Sequence, residues 1–229
     1  MTLMLLALLL QLGATDVRDS ATFKARTAAF DIRERQLAEA RGTNPRGQAA
    51  LAWLQSLALV LTSIPIERTD DPIFSSWLAA HDELVVYSEP AGEWLVRHEV
   101  LRKTHDEHRQ STAADEIAWL GAITGIPGEC EGYVPCYMSG LNYREGEYLR
   151  RERSGRHRGE AMAEIAATIS RVITDLLSRP ERADYLKVPD DCPDLVASLD
   201  PLREAVGVGQ GSAAAALREI ERLSAYCRR

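Results

Sequence analysis

The chain has 229 residues, a formal net charge of −7, 45% hydrophobic residues and 27% charged residues. This composition is that of an ordinary globular protein and argues against intrinsic disorder. Because an acidic surface repels phosphate backbones, we expect no nucleic-acid partner.

The first fourteen residues, MTLMLLALLLQLGA, contain no ionisable side chain and end in small residues. This pattern is typical of a secretory signal peptide. The apolar run from Leu3 to Leu12 is half the length of the roughly 20 residues that span a bilayer as a helix. We therefore predict a signal peptide over 1–14, a secreted or periplasmic mature chain and no membrane span after cleavage. An uncleaved amphipathic helix is the alternative.

The mature chain shows helical periodicity along nearly all its length and no series of alternating strands. The sequence therefore predicts an all-α fold, either a helical bundle or a short array of antiparallel helical hairpins. The predicted helices, in chain order, cover 21–40, 48–61, 72–87, 90–108, 112–123, 133–152, 158–177 and 212–226.

We predict one helical domain over 15–178, followed by a Pro- and Gly-rich extension over 179–229 that packs on the same domain. The extension is expected to be irregular before its last helix, because four prolines fall within 22 residues. These prolines are Pro180, Pro189, Pro193 and Pro201.

The four cysteines form an even set, which in an oxidising compartment usually pairs into disulfides. Four cysteines allow three pairings. The short segment between Cys130 and Cys136 favours a bridge there, which leaves Cys192 with Cys227 as a staple of the C-terminal region. The spacing does not match a redox or zinc motif, and we predict no cofactor.

Three histidines, His98, His105 and His108, lie on one predicted helix. We interpret them as half-buried, hydrogen-bonded side chains and predict no metal site. The low-ranked alternative is a metal ion shared by His105 and His108 with a carboxylate from another helix. Nearby acidic residues are interpreted as solvated helix-end charges, namely Asp106, Glu107, Asp115 and Glu116.

Four of the seven tyrosines lie between Cys130 and Arg150. On a continuous helix Tyr133, Tyr137, Leu141 and Tyr148 fall near one face. Two interpretations stay open: a stripe that packs against neighbouring helices, or an aromatic surface that binds a peptide or a cell-wall glycan.

The segment from Gly146 to Ile169, with Tyr148 and Leu149 on one helix and Ala161 opposite, resembles the helical hairpins of tetratricopeptide-type repeats in bacterial envelope proteins. The resemblance implies a binding scaffold. The basic turn between its helices, Arg150–Arg158, is interpreted as helix-end cations that keep the turn solvated, with an anion site as the alternative.

Two functions follow as hypotheses. The favoured one is a non-enzymatic scaffold that binds a protein or peptide in the bacterial cell envelope; the Ala-, Arg- and Leu-rich composition is compatible with a GC-rich bacterium. The alternative is an envelope hydrolase or metal-dependent enzyme that uses the helix bearing His98, His105 and His108. The sequence does not define the oligomeric state.

Overall fold

A computed structural model describes residues 20–126, 128–178 and 191–228. The predicted signal peptide over 1–14 lies outside the described residues. The described part is helical except for one short hairpin, which confirms the all-α fold class. Its helices are α1 (Ser20–Glu39), α2 (Thr43–Leu61), α3 (Pro72–Ala80), α4 (His98–His108), α5 (Ala114–Ile123), α6 (Val134–Leu141), α7 (Glu147–Arg151), α8 (Arg158–Ser178), α9 (Asp191–Val206) and α10 (Ser212–Ser224).

Three short helical segments complete the secondary structure. Two are 3-10 turns at Ile66–Arg68 and Ala225–Arg228. The third is a π turn at Asn142–Gly146, which joins α6 to α7. Within the described residues, we find no helix that combines the length and the apolar character required to cross a membrane.

A two-stranded antiparallel sheet replaces the ends of two predicted helices. Strand β1 (Val85–Ser88) pairs with β2 (Glu93–Val96). The helices predicted over 72–87 and 90–108 were therefore wrong in these parts. Two features favour the sheet. Strand β1 starts with β-branched residues, and the rings of Tyr87 and Trp94 contact each other across the strands, 5.4 Å apart between centroids. Gly92, with φ +60°, makes the turn.

The first of two hydrophobic cores lies among α1, α2, α3 and the hairpin. Aromatic side chains are prominent in this core: the Phe23 and Phe74 rings pack edge to face with their centroids 4.8 Å apart, and Phe30 is fully buried. Residues of this kind each bury a large apolar area, so a small number of them holds these three helices together.

The second core lies among α6 to α10. The apolar stripe of α8, which includes Ala161, Ile165 and Ile169, packs mainly along α10. Helix α8 contacts α6 and α7 much less extensively than it contacts α10. The predicted antiparallel hairpin, formed by the helices over 133–152 and 158–177, is therefore not the main packing unit. Helix α5 joins the two cores, because Ile117 belongs to the first and Ala118 to the second.

Both disulfides have the favoured pairing. Cys130 bonds to Cys136, and Cys192 bonds to Cys227 across 35 residues of sequence. The second bridge links the first turn of α9 to the 3-10 turn after α10. The C-terminal staple predicted from the sequence is thus confirmed, and the bridges indicate an oxidising compartment.

The predicted irregular conformation was wrong for 191–206, which form α9; Pro180 and Pro189 lie outside the described residues. Pro193 occupies the first turn, where a missing N–H costs nothing. Pro201 lies inside the helix. Its cost is offset by burial, since Leu195, Leu199 and Leu202 are all fully buried in the second core.

Candidate functional site

An open groove of about 1040 Å³ lies beside the Cys130–Cys136 loop. It lies between the start of α4, the chain after α5, and α6 with the π turn. Ile126, Tyr137 and Tyr143 contribute apolar surface, and His98 and Arg144 contribute polar groups. This volume is at the upper end of ordinary ligand pockets and suits an extended ligand. We refer to it as the disulfide groove.

The disulfide loop that borders the groove has a fixed backbone. Glu131 and Gly132 both have positive φ, at 46° and 86°. The Tyr133 amide donates to the Cys130 carbonyl at 2.6 Å, and the Cys136 amide donates to the Tyr133 carbonyl at 3.1 Å. The covalent bridge and these turns brace one wall of the groove, next to Val134 and Met138 of the second core.

The tyrosines of the predicted aromatic face separate in the structure. Tyr133 and Tyr137 are 38% and 41% exposed, whereas Leu141 and Tyr148 are buried at 1% each. The π turn inserts a wider helical turn between α6 and α7, so residues on either side no longer follow one helical phase. Tyr148 is therefore part of the core, and of the predicted face only Tyr133 and Tyr137 remain at the surface.

Only one of the two exposed tyrosines lines the disulfide groove. Tyr137 does so, whereas Tyr133 lies outside its lining. The Tyr133 hydroxyl donates to Asp194 at 2.7 Å, and this hydrogen bond raises the pKa of Tyr133 to about 12. Tyr133 therefore helps to fix the start of α6 against α9.

Tyr143 is a groove residue that the sequence analysis did not single out. It lies in the π turn, and its hydroxyl donates to Glu99 at 3.2 Å. The Arg102 guanidinium lies 4.9 Å from the centre of its ring. Burial raises the pKa of Tyr143. In the sequence, only its place among four clustered tyrosines pointed to Tyr143. The side of the helix on which it lies is set by the π turn, which the sequence does not show.

His98 is an anchor of the groove wall. It is 5% exposed, and its Nε2 lies 3.2 Å from the Gly125 carbonyl oxygen and 3.3 Å from that of Thr124. Burial lowers the pKa of His98, so the neutral imidazole donates its Nε2–H to these carbonyls. His98 thereby ties the start of α4 to the end of α5.

His105 belongs to a separate buried network. Its Nε2 donates to Glu152 at 2.7 Å, and its Nδ1 accepts from Arg151 at 3.0 Å. Arg151 also binds Glu147 at 2.8 Å and pairs with Asp106. The hydrogen bond from Arg151 lowers the pKa of Asp106. Every polar atom of the His105 ring is thus engaged by the protein.

His108 lies apart from both, on the far end of α4, in a second depression near Arg46. The structure therefore gives the three histidines three different environments. Each is more than nine-tenths buried, deeper than the half-buried state that the sequence suggested. The arrangement that a shared metal ion would need at His105 and His108 is not found among the described residues.

The described residues do contain one group with metal-ligand geometry, Asp115, Glu116 and His157, whose ligand atoms lie within 4.8 Å of one another. The Arg156 guanidinium already pairs with both carboxylates, at 3.1 Å to Asp115 and 2.8 Å to Glu116. His157 Nε2 lies 3.0 Å from Glu116. An arginine thus supplies the positive charge that these groups require.

This cluster corrects the interpretation of two acidic residues. Asp115 and Glu116 are not solvated helix-end charges, because their side chains are only 19% and 20% exposed and are paired. Partial burial raises the pKa of Asp115, but hydrogen bonds from Tyr148 and Arg156 lower it overall. The basic turn keeps exposed cations at Arg150, Arg153 and Arg156, and Arg156 also clamps the turn to α5 through these ion pairs.

Glu145 is a buried acid in the π turn. It is 3% exposed, its Oε2 has no hydrogen-bond partner among the described residues, and its Oε1 lies 3.5 Å from Arg144. Burial raises its pKa to about 7, although Arg144 lowers it.

Comparisons of the chain with protein-family models, with curated proteins and with solved structures found no match. The disulfide groove and the two polar clusters are therefore interpreted from their own geometry.

Proposed function

We propose that this protein is a secreted or periplasmic scaffold that binds a polypeptide segment in the disulfide groove. The observation that carries the proposal is the groove itself, about 1040 Å³ in volume and bordered by a disulfide-closed loop. A rigid wall lowers the entropy cost of binding, because the loop is ordered before the ligand arrives.

The lining of the groove suits a peptide. Tyr137 offers a half-exposed ring, and aromatic rings of this kind are enriched where proteins bind proteins. The lining includes two arginines, Arg97 and Arg144, and acids such as Glu129 and Glu131, so the groove can pair with side chains of either charge. These features favour a peptide of mixed character over a strongly charged ligand.

The enzyme hypothesis has less support. Nε2 of His98 is held by backbone carbonyls, and both ring nitrogens of His105 are held by an ion-paired network. A general base or metal ligand needs a nitrogen that can reach a substrate or ion. The two histidines are therefore interpreted as structural.

Site-specific photo-crosslinking tests the proposal. A photoreactive side chain is placed at Tyr137 or at Ser139, which both line the groove, and at Leu59, which is 54% exposed on α2 and serves as the control. We expect one discrete adduct with a polypeptide from both groove positions and none from Leu59. Adducts with glycan alone, or equal adducts from all three positions, would contradict the proposal.

A further inference from the structure

A second depression, of about 630 Å³, lies where the start of α2 meets the end of α4. Its lining includes Arg41, Thr43, Arg46, His108 and Arg109. None of its residues lines the disulfide groove. Any ligand of this depression is therefore independent of the function proposed above.

The start of α2 is an uncapped helix N-terminus. The helix has 19 residues, and the residue before it, Gly42, has φ 83° and no side chain that could accept from the first-turn amides. The first amides of a helix carry the positive end of its dipole and need acceptors. The amides of Thr43 and Asn44 are in this first turn, and Thr43 lines the depression, so an anion bound there would be an acceptor for the end of the helix.

His108 is an independent sign of a ligand at the same place. It lines the depression, is 7% exposed, and neither ring nitrogen has a hydrogen-bond partner among the described residues. The fully buried side-chain atoms without a partner in the described residues do not include a His108 nitrogen, so its unpartnered ring nitrogens open into the depression that it lines. The imidazole N–H is therefore available to a ligand.

The charges around His108 favour an anion. Arg46 and Arg109 are exposed and form no ion pair with any described carboxylate. Of the two acids in the lining, Asp106 is paired with Arg151, which leaves Glu107. Burial lowers the pKa of His108, Glu107 raises it and Arg46 lowers it. The depression thus carries free positive charge on a chain whose net charge is −7.

We propose that this depression binds a tetrahedral oxyanion, a phosphate or sulfate group, held by Arg46, Arg109, the His108 N–H and the first-turn amides of α2. Guanidinium groups and backbone amides are the donors that bind such anions most strongly. The size of the depression leaves room for the rest of a phosphorylated or sulfated molecule.

Titration with inorganic phosphate, followed by NMR of the full chain, tests the site. We expect saturable shifts of the His108 ring and of the Thr43 and Asn44 amides. Arg46→Gln, at an exposed position, is expected to weaken binding about tenfold or more. Arg218→Gln removes the same charge from an exposed position on α10, outside the depression, and is expected to leave the affinity unchanged.

Further measurements identify the chemistry of the ligand and show whether a loss of binding reflects misfolding. His108→Gln, with folding checked by circular dichroism, is expected to weaken phosphate binding as Arg46→Gln does. Sulfate should compete with phosphate, and acetate should not. Vesicles of phosphatidylglycerol separate the sources: capture that Arg46→Gln abolishes indicates a lipid headgroup, and phosphate binding without capture indicates a free anion. No saturable phosphate binding, or equal losses in Arg46→Gln and Arg218→Gln, would overturn the proposal.

Discussion

At the residue scale, the least expected group is Glu145, a buried carboxyl whose Oε2 has no hydrogen-bond partner in the described part of the chain. A buried acid of this kind resists ionisation, since the charged form loses its hydration. The folded pKa of Glu145, about 7, lies above the ordinary value of 4.5. Its contribution to stability is therefore full below about pH 4.5 and is lost as the pH rises through about 7.

We predict that Glu145→Gln raises the free energy of unfolding at about pH 8 by an amount on the order of 3 kcal/mol and changes it little at about pH 4. Urea unfolding at the two pH values measures the difference. Glu129→Gln, at an exposed position, is the control with the same change of charge. A gain that is equal at both pH values would refute the assignment to ionisation of Glu145.

A second prediction at the residue scale concerns Tyr148. Its hydroxyl donates to Asp115 at 2.7 Å and accepts from the His157 amide at 3.0 Å. Tyr148→Phe leaves both groups without this partner, so we expect a loss of about 1–3 kcal/mol in the free energy of unfolding. Tyr137→Phe, whose hydroxyl has no described partner, is expected to have no effect. Equal stabilities for the two variants would contradict the clamp between the basic turn and α5.

At the element scale, the bounds of three helices could be predicted from the sequence within a few residues, namely α1, α8 and α10. Clear apolar stripes mark α8 and α10, whereas α1 has none. The β-hairpin could not be predicted, because apolar residues around Val85 also fit the stripe of α3, and four-residue strands are too short to show a period. The π turn likewise has no sequence signature. It moved Tyr148 into the core and brought Tyr143 to the groove.

The side-chain contacts within the polar clusters could not be predicted from the sequence for a different reason. Arg156 and Asp115 are 41 residues apart in the chain, and His105 and Glu152 are 47 apart. Local spacing carries no information on such contacts. The sequence could predict the helix that bears the histidines, but not the partners that make His98 and His105 structural.

Packing of α2 against the chain after α4 depends on Gly47. A Cβ at this position would overlap the Ser111 side chain. We predict that Gly47→Ala lowers the free energy of unfolding by about 2 kcal/mol or more. Adding Ser111→Gly removes the overlap, so the double variant should be more stable than the sum of the single changes predicts. Strict additivity of the two changes in thermal or urea unfolding would contradict this close approach.

At the scale of the whole molecule, two cores are joined by α5, and each disulfide serves a different part. The Cys192–Cys227 bridge encloses 35 residues and ties α9 to the end of the chain. The Cys130–Cys136 bridge closes a loop of 6 residues at the groove. One bridge therefore supports the fold, and the other shapes the proposed site.

We predict that replacing Cys192 and Cys227 with serine costs about 4 kcal/mol in the free energy of unfolding, and that replacing Cys130 and Cys136 costs about 2 kcal/mol, in line with their loop lengths. Urea unfolding of the two double variants provides the comparison. The short bridge should matter more for ligand binding than for stability. A larger loss of stability from the short bridge would contradict this division.

The central claim is that the disulfide groove binds a polypeptide. The most direct measurement is the yield of the photo-crosslink from position 139 after Tyr137→Ala, compared with the yield after Tyr133→Ala, a similarly exposed tyrosine outside the groove lining. We predict that Tyr137→Ala removes most of the polypeptide adduct and that Tyr133→Ala leaves it intact. An adduct that survives Tyr137→Ala unchanged, or that both substitutions reduce equally, would contradict the claim.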